Sequence, residues 1–342
     1  MDKGIKNNLS SLCLVSLFFV GNAVINLPFG YGCNAALLGF ITAFLLCLPL
    51  ILLFSKTSLK KEKAPLSVAF SVIFVLYSLF CGIVTFRNYV TFSDRIILPE
   101  IGSFFPTLLF LFLLWLICKG KKEAVLKLAL ISAILVFSLV IILFLLSIDS
   151  MSLTALLPKN LPSLKETGYQ TLSFVSMSFI EAVVLIGFIN SENNKAIIKG
   201  YFTGAAVLLI ILLQCILVFG YTLTARLDYP YALAMSTITF GDKFSRMEGF
   251  SYLLYFSCTL IKTAVCLISA KDRLTSLFPK TEKFFFPAAL FIYGIISVFT
   301  NIFVNLPFIY IAPFLIIPPV ILVIYYRIPL RCSTKSKGPR FP

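Results

Sequence analysis

The chain has 342 residues, 59% of them hydrophobic and 13% charged, with a mean hydropathy of +1.00. A soluble domain carries roughly 25% charged residues, so this composition excludes a soluble globular enzyme, and it equally excludes a disordered chain. The 29 Lys+Arg against 14 Asp+Glu give a net charge of +15. In so apolar a chain that excess sets membrane topology rather than binding nucleic acid.

A spanning helix needs about 20 predominantly apolar residues. Ten stretches qualify, at 10–29, 35–54, 66–89, 101–118, 125–147, 170–189, 200–221, 249–270, 284–304 and 307–326. The first lies behind Lys3 and Lys6. It continues past Gly21-Asn22-Ala23 through Val24, Ile25 and Leu27, which suits a spanning helix better than a cleaved signal peptide. The fourth is the weakest and carries Pro106, yet charge includes it. With ten spans and the N-terminus inside, 21 of the 29 basic residues fall on the inner side and 6 on the outer. Deleting the fourth span sends most of them outside, against the positive-inside rule. Both termini are therefore expected in the cytoplasm.

Little lies outside the spans. Residues 1–331 read as one ten-helix domain, and 332–342 as a basic cytoplasmic tail close to anionic membrane lipid. The longest connections, 148–169 and 222–248, are both exterior. The second holds Tyr229-Pro230 and then 232–238, long enough for a short helix lying over the outer face.

Classical catalysis finds no support. There is no histidine, which removes Ser-His and Cys-His pairs and every His-ligated metal site. The nine cysteines form no CxxC pair, and nearly all lie in or beside apolar runs, where they act as small hydrophobes. We expect no enzyme activity, no cofactor and no metal.

Three charged residues fall inside predicted spans: Arg87, Glu181 and Lys262. A charge at bilayer depth costs at least about 2.5–3.5 kcal/mol, so each is a functional candidate. Arg87 lies near the outer end of its span and can snorkel to the headgroups. Glu181 and Lys262 lie near mid-depth and must face protein or water, either as a structural ion pair or as a ligand or cation site. Gly21 and Asn22 sit at the centre of the first span, where they weaken the helix and offer polar groups at mid-depth. Close helix packing is the alternative use of Gly21. In the sixth span Ser173, Ser176 and Ser178 precede Glu181 and compete for backbone hydrogen bonds. Asp242 and Arg246, four apart, read as a cap on the eighth span.

Several stretches resemble the spore germination permease family, the B-type membrane subunits of GerA-type nutrient germinant receptors within the amino acid–polyamine–organocation superfamily. They are Phe179-Ile180-Glu181-Ala182-Val183-Val184-Leu185; the run from Asn190 to Gly204; Tyr231-Ala232-Leu233-Ala234 with the run from Gly241 to Glu248; and Lys119-Gly120-Lys121-Lys122-Glu123. Lys262 falls where a lysine can follow. Leu98-Pro99 keeps only the beginning of a Leu-Pro-x-Thr-Pro run common in that family.

The resemblance implies an all-α integral membrane protein with the inverted 5+5 repeat of LeuT-like amino acid transporters, in which the first and sixth spans are broken helices. Gly21, Asn22, Phe179 and Glu181 would then line one central pocket for a small germinant such as an amino acid. The partners implied are the A-type and lipoprotein C-type receptor subunits, in the spore inner membrane. The alternative readings are a secondary amino acid transporter coupled to H+ or Na+, with Glu181 or Lys262 handling the cation, and a scaffold that binds no ligand.

Overall fold

In the computed structural model, residues 3–24, 27, 35–55, 65–97, 104–120, 122–157, 162–176, 180–189, 194–238, 248–298 and 316–322 are described. Among them there is no strand. The helices are α1 (Lys3–Ala23), α2 (Ala36–Ser55), α3 (Pro65–Phe92, continued by a π-turn over Ser93–Ile97), α4 (Phe104–Lys119) and α5 (Lys122–Leu146). The second half holds α6 (Leu164–Phe174), α7 (Val183–Phe188), α8 (Asn194–Thr224), α9 (Pro230–Ser236), α10 (Glu248–Leu277) and α11 (Glu282–Val298). A further helical segment covers 316–322. Long apolar runs make these helices inevitable, because in lipid a backbone must satisfy its own hydrogen bonds. Among the described residues, five helices are long and apolar enough to cross a membrane, and Asn8–Gly21 and Phe104–Lys119 are shorter apolar helices.

α10 is the axis of the molecule. It packs along α3 and touches α1, α4, α5, α7, α9 and α11. α1 lies beside it, with every residue from Leu14 to Val20 fully buried. Leu45, Leu46, Ile131, Ile134, Ile141 and Phe291 are exposed on the outer helices, as a lipid-facing rim requires. Small residues set the closest approaches. A Cβ on Gly200 of α8 would lie 2.6 Å from Val15 Cβ, and one on Gly204 would lie 2.9 Å from Phe19 Cβ and 3.0 Å from the Ser16 carbonyl. These glycines, one turn apart, therefore let α1 and α8 touch backbone to backbone.

The sixth span departs most from the hydropathy bounds and agrees with the broken helix that the family resemblance implies. A single helix over 170–189 is replaced by two shorter ones. α6 begins at Leu164, inside the stretch read as exterior loop, because Ser163 and Glu166 close a reciprocal capping box at its N-terminus. It ends at Phe174. Ser176 Oγ then donates to the Leu172 and Ser173 carbonyls at 2.9 and 3.0 Å, sharing the Leu172 acceptor with the Val175 amide. The chain is next described as a 3-10 turn over Ile180–Ala182 that leads into α7. α6 is seated on α2 through Gly39 and through a Thr42–Thr171 hydroxyl contact, with the Phe40 and Phe174 rings edge to face at 5.3 Å.

The first span, read as 10–29, is described as α1 over Lys3–Ala23. α1 runs through Gly21 and Asn22 as helix and ends at Ala23, so its regular part is not interrupted at the Gly-Asn pair itself. The short outer helix is found as α9, started by Pro230 at its first turn, where the missing N–H costs nothing. α8 kinks at Gly220, whose φ of 69° and ψ of 169° suit glycine alone. Thr224 Oγ1 donates to the Gly220 carbonyl, and the Ser152 amide donates to the Leu217 carbonyl at 2.9 Å, so the carbonyls around the kink stay satisfied. The tail 332–342 and the Leu98-Pro99 turn lie outside the described residues.

Candidate ligand site

The break in the sixth span delivers Glu181 to the centre of the protein. It stands in the 3-10 turn just ahead of α7, and its side chain has no exposed surface. Lys262 occupies the middle of α10 and is equally buried. The two form an ion pair, Lys262 Nζ to Glu181 Oε2. Neither carboxylate oxygen of Glu181 has a further hydrogen-bond partner among the described residues. A dry ion pair without such support is costly to keep in stability terms alone, which argues for a use beyond holding helices together.

Gly21 completes the arrangement. A Cβ there would lie 2.8 Å from Lys262 Cδ, 3.2 Å from Lys262 Cβ and 3.4 Å from the Cys258 carbonyl. The lysine stem thus crosses α1 at the one residue without a side chain. One turn earlier, the Phe18 ring lies 5.2 Å from Lys262 Nζ and offers its negative face to the ammonium. On the other side, α3 contributes Tyr77 and Cys81, hydrogen-bonded to each other and within electrostatic range of Glu181. α10 adds Cys266, one turn beyond Lys262.

The sequence-derived site residues divide as follows. The structure brings Gly21, Glu181 and Lys262 into one contact group. Asn22 belongs to α1, but its side chain lies outside the described residues, as do Phe179 and both Asp242 and Arg246. Phe18, Tyr77, Cys81 and Cys266 were missed. Phe18, Cys81 and Cys266 look like ordinary core residues in an apolar run. Only their helical spacing from Gly21 and Lys262, and that of Tyr77 from Cys81, could have flagged them. Among the described residues no group of three His, Cys, Asp or Glu side chains is placed to hold a metal ion.

Ion pairs also mark both ends of the bundle. At the end bearing the α4–α5 turn, Lys122 pairs with Asp272 at 2.7 Å and Lys271 with Glu282 at 3.4 Å. Arg273 Nε donates to Ser71 Oγ at 2.9 Å from an almost fully buried position. At the opposite end Arg95 meets Asp228 at 3.5 Å, with both side chains largely exposed. Beside them burial pushes the Tyr229 phenol above its ordinary range, with Arg95 opposing the shift, so it stays neutral at physiological pH.

A helical bundle pierced by a broken span, with a buried charge pair at the break, is an arrangement met in membrane transporter folds. Among solved structures the chain is similar to Mhp1, a nucleobase-cation-symport-1 family transporter, in a closed conformation with bromovinylhydantoin bound. The TM-score is 0.60 at 11% sequence identity, over 95% of this chain and 76% of that one. The fold is thus the LeuT-like one that this transporter has. Residues 8–309 match the family described as spore germination protein, the spore permeases, and the chain belongs to that family. No curated individual protein matches it. It is an integral membrane, permease-like protein.

Proposed function

We propose that the protein is the membrane subunit of a spore nutrient germinant receptor, located in the spore inner membrane with both termini cytoplasmic. A small germinant of the amino acid class binds between the end of α1 and the break ahead of α7, at Gly21, Asn22, Phe179 and Glu181. The Glu181–Lys262 pair is the charge element of that site, and the Asp242–Arg246 pair caps the start of α10. Ligand binding biases the packing of the half-helix α7 against α1 and α10, and A-type and lipoprotein C-type partner subunits read that bias. A ligand shifts such an equilibrium only by its difference in affinity between the two states.

The observation that carries this reading is the buried ion pair at a helix break, with Glu181 oxygens lacking any other partner among the described residues. A charged ligand could replace one member of the pair without leaving the other bare. The likeness to Mhp1 favours a second reading, a secondary amino acid transporter coupled to H+ or Na+. Purified protein in liposomes separates the two. Saturable binding of a labelled amino acid without uptake, lost in Glu181→Gln, is the expected result. Concentrative uptake would establish transport instead, and no binding across the amino acid panel would overturn the ligand assignment.

A further inference from the structure

The half-helix α7 has six residues and carries Glu181 just ahead of its first turn. At its far end a lysine from another helix reaches the last carbonyls. Lys122, the first residue of α5, points Nζ at the Gly187 carbonyl at 3.4 Å and the Phe188 carbonyl at 3.5 Å, and lies 5.4 Å from the Phe188 ring centre. The last carbonyls of a helix carry its negative dipole end, so a cation there is held by charge as well as by hydrogen bonds. The same ammonium pairs with Asp272 of α10 at 2.7 Å. One lysine therefore ties α5, α7 and α10 together.

Behind this tie runs a polar seam. Lys262, Cys266, Ser269 and Arg273 follow at spacings of four, three and four residues and so share one face of α10. Ser71, Phe74, Ser78 and Cys81 recur similarly along α3. Gly187 is wedged between them, since a Cβ there would lie 2.7 Å from Phe74 Cζ and 3.2 Å from Ser269 Cβ. Ser78 Oγ and Ser269 Oγ are buried with no hydrogen-bond partner among the described residues. Buried hydroxyls without partners are rare in a surface built only to be dry, and they fit one that is wetted in another packing. The seam leads from the Glu181–Lys262 pair to the lysine-rich end, where Arg273–Ser71 and the Lys122 contacts close it.

We propose that Lys122 is the latch of this seam: it pins the C-terminal end of α7 to α10, and its release opens a polar route from the central ion pair to the lysine-rich end. This deepens the reading of a ligand-responsive permease and rests on it, because α7 carries the ligand-facing Glu181. Loss of the Lys122 contacts shifts the population toward the open packing with no change at the centre.

The test uses the native cysteines. Full-length protein in nanodiscs is treated with a charged methanethiosulfonate reagent, and labelling at each cysteine is followed by peptide mass spectrometry. Cys81 and Cys266 lie on the seam, whereas Cys258 lies one turn before Lys262 on α10, away from the seam, and Cys215 and Cys258 are both buried near Tyr231. In Lys122→Met the labelling rates of Cys81 and Cys266 rise by about tenfold or more, corresponding to about 1.4 kcal/mol of population shift. The rates at Cys215 and Cys258 stay unchanged, and Lys122→Arg behaves as the native protein. Unchanged rates at Cys81 and Cys266 overturn the latch, and so does an equal rise at all four cysteines, which would report general loosening. If Lys122→Met yields no monodisperse protein, Asp272→Asn removes the ion pair from the other helix and is judged by the same criterion. No ligand is added, so failure here leaves the ligand assignment standing, and failure of ligand binding leaves the thiol rates interpretable.

Discussion

The central ion pair makes an asymmetric prediction. Lys262→Met removes the ammonium and leaves the Glu181 carboxylate fully buried with no partner among the described residues. Removing one member of a buried pair costs about 3–5 kcal/mol, since the remaining charge keeps its desolvation penalty without compensation. Glu181→Gln alone is milder, because the amide oxygen still accepts from Lys262 and the Phe18 ring still faces the ammonium. The double variant restores a neutral interior and recovers most of the loss, as apolar replacement of buried ion pairs does elsewhere. At about 2–4 °C per kcal/mol, Lys262→Met should lower the unfolding midpoint by roughly 6–20 °C, with the double variant far closer to the native protein. The assay is the fraction surviving in the monodisperse size-exclusion peak after a temperature series in detergent. The decisive quantity is the interaction between the two substitutions, of which about 2 kcal/mol or more is expected. Simple additivity would refute the pairing.

Other substitutions probe the packing. Gly21→Ala places a methyl 2.8 Å from the lysine stem and should cost about 1–3 kcal/mol and weaken ligand binding. Gly200→Ala drives the same kind of clash into Val15 and should lower the unfolding midpoint without touching the ion pair. Gly220→Ala forces a side chain onto a φ of 69° and ψ of 169°, at about 1–3 kcal/mol, measurable in the same heating series. Arg95→Ala removes only an exposed 3.5 Å contact and should change stability by less than about 1 kcal/mol. A large loss there would show that the Arg95–Asp228 pair does more than an exposed ion pair.

Hydropathy located the helices well because a lipid-facing helix must be apolar along its whole length, and α2, α4 and α5 match their expected bounds within three residues. It failed where a helix is neither uniform nor lipid-facing. α6 is polar over Lys165, Glu166, Thr167 and Gly168, so it merged with a loop on one side and with α7 on the other. Ser163 and Glu166 at capping-box spacing were the overlooked signal. Glu181 and Lys262 were legible because mid-depth charges stand out against an apolar background. Lys122 was read only as a topology marker and as part of the family-like run at 119–123. Its contacts, to the Gly187 and Phe188 carbonyls and to Asp272, join positions far apart in the chain that no local residue pattern links. Tyr77 and Cys81 were hidden by the opposite cause: the polar part of each is small beside its apolar bulk.

The glycine contact between α1 and α8 also bears on which parts can move. Backbones meeting at Gly200 and Gly204 leave no side-chain layer to slide or repack, so α1 and α8 shift together or stay in place. They form the frame. Any rearrangement that changes access to Glu181 then falls to pieces hung on that frame by charge and by short turns, chiefly α7 and the start of α5. If Lys122 is the latch, the stationary part of the protein is set by two hydrogen atoms where other residues would carry a carbon.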